Sequence, residues 1–206
     1  MDAARTPRQK RSAASLERLL AAAEEVLRER SFDAAGVAEI AAGAGVTVGA
    51  FYSRFQDKES LLRHLEARVL AAQEALVAEQ LAGFAAAGRP LAELVHGLLR
   101  AALAFYRTHR GSLRALDLRA RSDAALRDRI SRANQRAVGR FVAAGGAQDP
   151  PGPALGFAVL MVGTMLREAV LFGAPWLEQA GWDDETLVRE LTRAFVAYLG
   201  AAREAP

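Results

Sequence analysis

The chain has 206 residues, 27 Lys and Arg against 24 Asp and Glu for a formal net charge of +3, and no cysteine. That length allows one large domain or two modest ones, and 51% apolar with 25% charged residues suits a folded globular chain rather than a disordered one. Disulfides, thiolate nucleophiles and cysteine-ligated zinc are excluded. No apolar run reaches the roughly 18 residues of a spanning helix. Met1 to Arg11 is basic but lacks the apolar stretch of a secretory leader, so a cytosolic protein without membrane attachment is expected.

Charge is unevenly placed. Residues 1–60 carry nine basic and nine acidic side chains, but Arg5, Arg8, Lys10 and Arg11 face only Asp2 and form a basic arm. Residues 107–140 hold ten arginines against Asp117, Asp123 and Asp128. The last 66 residues are acidic, with four basic and eight acidic groups.

Helical periodicity runs through nearly every segment, and no strand alternation is sustained. Leu16, Leu19, Leu20, Ala23, Val26 and Leu27 make one apolar stripe on a helix that Ser12 can cap and that fades at Arg30. After a connector from Ser31 to Gly36, a short helix spans Val37 to about Ala44. Gly45 supplies a turn of positive φ, and Thr47 can cap a second short helix ending near Phe55. Asp57 can cap a long helix from Lys58 to Phe84, and Arg89-Pro90 opens another. Leu91–Thr108, Ser112–Ala120 and Asp123–Ala143 read as three further helices. The run GGAQDPPGP from Gly145 to Pro153 reads as a loop. Leu155–Phe172, apolar on nearly all sides, reads as a fully buried helix. After a break from Gly173 to Trp182, Asp183–Leu199 closes the chain. The expectation is an all-α protein of about nine helices.

The informative stretch is Val37–Leu62, VAEIAAGAGVTVGAFYSRFQDKESLL. Two short helices joined by a glycine turn form the shape that seats its second helix in the DNA major groove. Phe51 and Phe55, four apart, share a face and can anchor that helix, while Tyr52, Arg54 and Lys58 project elsewhere.

This segment resembles the DNA-binding domain of the tetracycline-repressor (TetR/AcrR) family. The resemblance rests on Ile40-Ala41, Ala44-Gly45-Val46, Tyr52-Ser53-Arg54-Phe55 and Asp57-Lys58, with RERSFD at Arg28–Asp33 resembling the family's entry into its second helix. It covers roughly residues 12–65; beyond that, only length and helix count agree. Three departures stand out. Arg54 replaces the usual histidine, Ala35 and Gly36 stand where a hydroxyl is common, and Val48 stands where a basic or polar residue is common.

The resemblance implies a helix-turn-helix domain over residues 1–60 and a helical effector-binding and dimerisation domain over residues 61–206. It implies a homodimer on a palindromic double-stranded operator, most simply a repressor released by a small-molecule effector. The alternative is an activator or a ligand-blind regulator of the same fold. Thr47, Val48, Gly49 and Ala50 would open the recognition helix, with Val48 placed for a thymine methyl. Tyr52, Arg54 and Lys58 would meet phosphates, although Tyr52 and Arg54 would equally cap a three-helix core. Arg5, Arg8, Lys10 and Arg11 would follow the minor groove or backbone, or else form a solubilising tail.

Leu94, Leu98, Phe105, Tyr106, Phe141, Phe157, Met161, Thr164 and Met165 are candidates to line an effector pocket, and each reads equally well as packed core. Gly156 and Gly163 share a face of the apolar helix and suit close approach of a partner helix. The arginines of 107–140 fit a solvated basic face, or a surface for an acidic partner or for an anionic effector such as an acyl thioester. Glu93 and His96 have a metal-compatible spacing but no further ligand, so no metal and no cofactor are expected. No nucleophile, base or metal cluster supports an enzyme.

Overall fold

The computed structural model describes residues 7–85, 90–146 and 152–204. Among them are ten α-helices, two π-helical turns and no strand. In chain order the helices are α1 (Pro7–Glu29), α2 (Val37–Gly43), α3 (Val48–Tyr52), α4 (Lys58–Ala85), α5 (Leu91–Thr108), α6 (Arg110–Ala120), α7 (Ala124–Phe141), α8 (Gly152–Arg167), α9 (Pro175–Gln179) and α10 (Asp184–Glu204). The π turns follow α7 at Val142–Gly146 and α8 at Glu168–Phe172.

Most helix ends follow from local chemistry. Asp123 accepts from the Leu126 amide at 3.0 Å and caps α7. Asp183 accepts from the Thr186 amide at 2.8 Å and caps α10. Hydrogen bonds from the Thr186 side chain and amide hold the Asp183 carboxyl below the usual carboxylate range. The beginning of the chain differs from expectation. Ser12 lies inside α1, whose described residues run from Pro7, since Arg, Gln and Lys extend a helix readily. Arg8, Lys10 and Arg11 of the basic arm are helical, and Arg5 lies outside the described residues.

The described chain forms two compact units. The first runs to Val69, past residue 60 and into the third turn of α4, and takes in Gly111–Arg119 of α6. Its buried side chains include Leu19, Leu20, Ala23 and Leu27 of α1, Ile40 and Ala41 of α2, Phe51 and Phe55, Leu61, Leu62, Leu65 and Val69 of α4, and Ala115 and Leu116 of α6. Helix α6 reaches α1 through Gly111, where an added Cβ would stand 2.6 Å from the Leu27 carbonyl carbon and 2.8 Å from the Arg28 nitrogen. The Arg119–Glu59 ion pair at 3.2 Å joins α6 to the start of α4.

The second unit comprises Leu70–Arg110 and the chain from Ala120 onward. Its core joins Leu94, Val95, Leu99 and Leu103 of α5 to Ala154, Leu155, Ala158, Val162 and Leu166 of α8 and to Leu187, Val188, Leu191, Phe195 and Leu199 of α10. Helix α8 is not buried all round. Phe157, Leu160 and Met165 on its other side are exposed, because α5 and α10 cover only one face. The segment Pro153–Phe172 is long and apolar enough to cross a membrane by length and composition; Arg167 and Glu168 interrupt it, and its inward face is core.

Gly111 is under backbone constraint, so Gly111→Ala is expected to destabilise the first unit by about 1–3 kcal/mol, outweighing the helix-propensity gain. Gly139 in α7 has open space where a Cβ would stand, so Gly139→Ala is expected to stabilise by about 0.5–1 kcal/mol. Urea midpoints of the two variants measure both signs.

Candidate nucleic-acid interface

The turn between α2 and α3 is closed by two consecutive amides. Gly45 has φ of +64°, its amide donates to the Ala42 carbonyl at 3.0 Å, and the Val46 amide donates to the Ala41 carbonyl at 2.9 Å. This paired pattern closes a helix only when the intervening residue is left-handed, which glycine tolerates. Gly36, at the N-cap of α2, provides no side-chain cap.

Thr47 then caps α3, its hydroxyl oxygen accepting from the Ala50 amide at 3.1 Å. At the other end Ser53 donates to the Ala50 carbonyl at 2.8 Å. Phe51 and Phe55 are fully buried, with ring centroids 5.0 Å apart, and the Tyr52 ring meets Phe51 edge-on at 5.4 Å. Val48 and Tyr52 are left exposed, at 41% and 53%. Gly49 is also exposed, whereas Ala50 and Arg54 are half-buried.

Asp57 caps α4, accepting from the Ser60 amide at 2.6 Å, while the Ser60 hydroxyl donates to the Asp57 carbonyl at 2.8 Å. Lys58, expected at a phosphate, makes three bonds within the protein. Its Nζ donates to the carbonyls of Phe32 at 2.7 Å, Asp33 at 3.1 Å and Ala35 at 3.2 Å. It also lies 4.7 Å from the centroid of the Phe32 ring. An ammonium has three N–H donors, and all three are engaged inside the protein. Lys58 thus ties the α1–α2 connector to the start of α4. The charged partners of this domain include Arg68 of α4, which pairs with Glu17 at 2.8 Å and Glu24 at 3.7 Å on α1.

The structure separates the candidate pocket residues. Leu94 and Phe141 belong to the second unit's core, and Leu98, Tyr106 and Met161 pack partly buried against it. Phe105 is buried with its ring 4.8 Å from that of His109. Phe157, Thr164 and Met165 are exposed on α8, Phe157 with its ring 5.0 Å from that of Tyr198 of α10. Much of the arginine-rich segment is internally paired. Arg107 bonds Asp184, Arg136 pairs with Glu74 at 2.7 Å, and Arg140 donates to the Glu74 carbonyl at 3.2 Å. His96 lies 3.6 Å from Glu185, and His64 sits 2.8 Å from the Ser60 carbonyl. Among the described residues no three acidic or histidine side chains are grouped to hold a metal.

Two short helices crossing at a glycine turn, the second presenting an exposed polar and apolar edge over a phenylalanine anchor, define a helix-turn-helix domain. Residues 19–65 match the bacterial regulatory proteins of the tetR family. The first unit carries a tetR-family domain, and the chain as a whole has the fold of tetR-family transcriptional regulators.

Several solved structures share that fold. A tetR-family transcriptional regulator from Streptomyces coelicolor is 19% identical, with a TM-score of 0.67 over 91% of this chain and 81% of that one. The fatty acid degradation regulator FadR from Bacillus halodurans is 20% identical, with a TM-score of 0.62 over 92% and 96%. FadR from Bacillus subtilis, solved with stearoyl-CoA, is 18% identical, with a TM-score of 0.60 over 89% and 97%. No curated protein matches the chain.

Because Lys58 closes three carbonyls, Lys58→Met is expected to lower stability by about 2–3 kcal/mol. Urea unfolding followed by circular dichroism measures it. A change below about 0.5 kcal/mol, typical of a solvated side chain, would refute the tie.

Proposed function

We propose that the protein is a homodimeric transcriptional repressor that binds a palindromic operator through α3 and releases it on binding a small-molecule effector in the cytoplasm. The observation that carries this reading is α3 itself. It is capped at Thr47, anchored by Phe51 and Phe55, and exposed at Val48, Gly49 and Tyr52. A recognition helix needs that division between an inward anchor and an outward reading edge. Thr47, Val48, Gly49 and Ala50 would sit at the base edges, and Tyr52 and Arg54 at the phosphates. Arg5, Arg8, Lys10 and Arg11 would add contacts along the backbone or minor groove.

A dimer serves this function because a two-fold pair of recognition helices matches a palindrome. The exposed apolar side chains of α8, Phe157, Leu160 and Met165, support it. An effector that weakened DNA binding a hundredfold would need about 2.7 kcal/mol of preference for the released form. The acyl-CoA held by the Bacillus subtilis neighbour makes long-chain acyl-CoA the first effector to titrate, since the second unit has an apolar core and the sequence an arginine-rich segment over 107–140.

The test is anisotropy of labelled DNA from the gene's upstream region, beside a scrambled duplex at two salt concentrations. Tight binding to the first duplex alone is expected, and equal weak binding to both would count against the reading. In the same assay Lys58→Met should weaken binding without changing the salt slope, whereas loss of a phosphate contact flattens it by about one unit. Leu160→Glu, at a position 65% exposed, is expected to yield folded monomers. A dimer mass in sedimentation equilibrium would exclude α8 from the interface.

A further inference from the structure

Resting on the effector reading above, we propose that the effector is an apolar carboxylic acid whose carboxylate accepts from the Nε–H of Arg167, where α8 passes into its π turn. Among the described residues two buried side-chain polar atoms make no hydrogen bond, the Ser112 hydroxyl oxygen and Arg167 Nε. They differ in what that costs. Ser112 is a neutral group, fully buried in the first unit. Arg167 is a cation in the second unit, and an orphaned N–H on a cation costs more than an orphaned neutral donor. Arg167 has other contacts; its Nε–H is the group left over.

The helix is irregular at that point. Along α8 the inward residues Ala154, Ala158, Val162 and Leu166 recur every four positions, but the next fully buried residue, Leu171, comes five later. The added residue belongs to the π turn Glu168–Phe172, for which Arg167 is the N-cap. Single π turns in α-helices are frequent at functional sites. Leu166 and Leu171 are buried, Ala169 and Val170 pack partly buried against the second unit's core, and the turn packs on α5. The open donor thus lies on a stretch of chain whose inward neighbours are all hydrocarbon.

The acceptor that recovers most from a guanidinium N–H is an anion, because charge-assisted hydrogen bonds are shorter and stronger than neutral ones. The Nε–H of an arginine and a neighbouring terminal N–H form one edge of a planar fork that matches the two oxygens of a carboxylate. The apolar core beside the turn suits a hydrocarbon body on the same molecule. A CoA thioester would bring only a neutral carbonyl to this donor, its phosphates lying at the far end of the headgroup. Free acid and thioester are therefore distinguishable.

The experiment uses the full chain. Decanoate, palmitate and phenylacetate are titrated beside the matching alcohols and CoA thioesters, with binding read by calorimetry and operator release by anisotropy. In protein carrying ¹⁵N-arginine the Nε–H resonances are followed, that of Arg167 being the one missing from Arg167→Lys. At least one acid should bind, release the duplex and move the Arg167 resonance, with its alcohol and thioester at least about tenfold weaker. Arg167→Met should bind that acid about 10- to 100-fold more weakly, and Arg167→Lys, which keeps the charge without the fork, should recover only part of the loss. Where a variant proves unfolded by circular dichroism, the wild-type resonance decides. An alcohol or thioester that binds as well as its acid, or an acid that leaves the Arg167 resonance unmoved, would overturn the inference and leave the effector reading standing, as would unaltered acid binding by folded Arg167→Met. An acid held at Arg167 that left the duplex in place would overturn the effector reading, and failure of every compound to bind would overturn the site.

Discussion

A five-residue helix has no independent stability, because nucleating its first turn costs more than so few hydrogen bonds return. The presentation of α3 therefore depends on burial of Phe51 and Phe55. Each removes a large ring from water, worth about 1.5–3 kcal/mol, and the two rings are in contact. The Thr47 cap and the left-handed Gly45 orient the helix, but only the two phenylalanines keep it folded. Burial of one edge also decides which side chains remain outside, so the anchor and the reading edge have a common cause.

Three long-range ties hold that helix pair in its unit. Lys58 closes the carbonyls left open by the α1–α2 connector. Arg68 spans two glutamates of α1, and Gly111 lets α6 rest directly on the α1 backbone. They differ in kind. The arginine pairs are partly solvated and individually weak, whereas the lysine satisfies three backbone acceptors and the glycine contact is steric. Stability of the domain thus leans on groups that never need to touch DNA.

The second unit is organised by the two-sided apolar character of α8. One side meets α5 and α10 in a continuous core. The other carries Phe157, Leu160 and Met165 exposed, large apolar side chains of the kind that mark an association surface where they gather. Periodicity cannot distinguish a helix buried within one chain from one shared between two, since both are apolar all round. The same ambiguity explains why residues grouped as one pocket wall divide between core and surface.

Much was legible in the residues alone. The all-α class, the glycine turn, and the caps at Thr47 and Asp57 are local events. Each depends on residue types three to five positions apart, so composition and spacing determine them. Tertiary structure decided the rest. The sequence neighbourhood of Lys58 does not reveal the carbonyls 23 to 26 residues earlier that accept its hydrogen bonds. The inclusion of α6 in the first unit depends on Gly111 meeting the distant backbone of Leu27 and Arg28. The exposure of Val48 and Tyr52 was set by which edge the two phenylalanines buried. Local hydrogen bonding is written in short patterns of residue type, whereas donor saturation, close backbone approach and exposure depend on which distant segments the folded chain brings together.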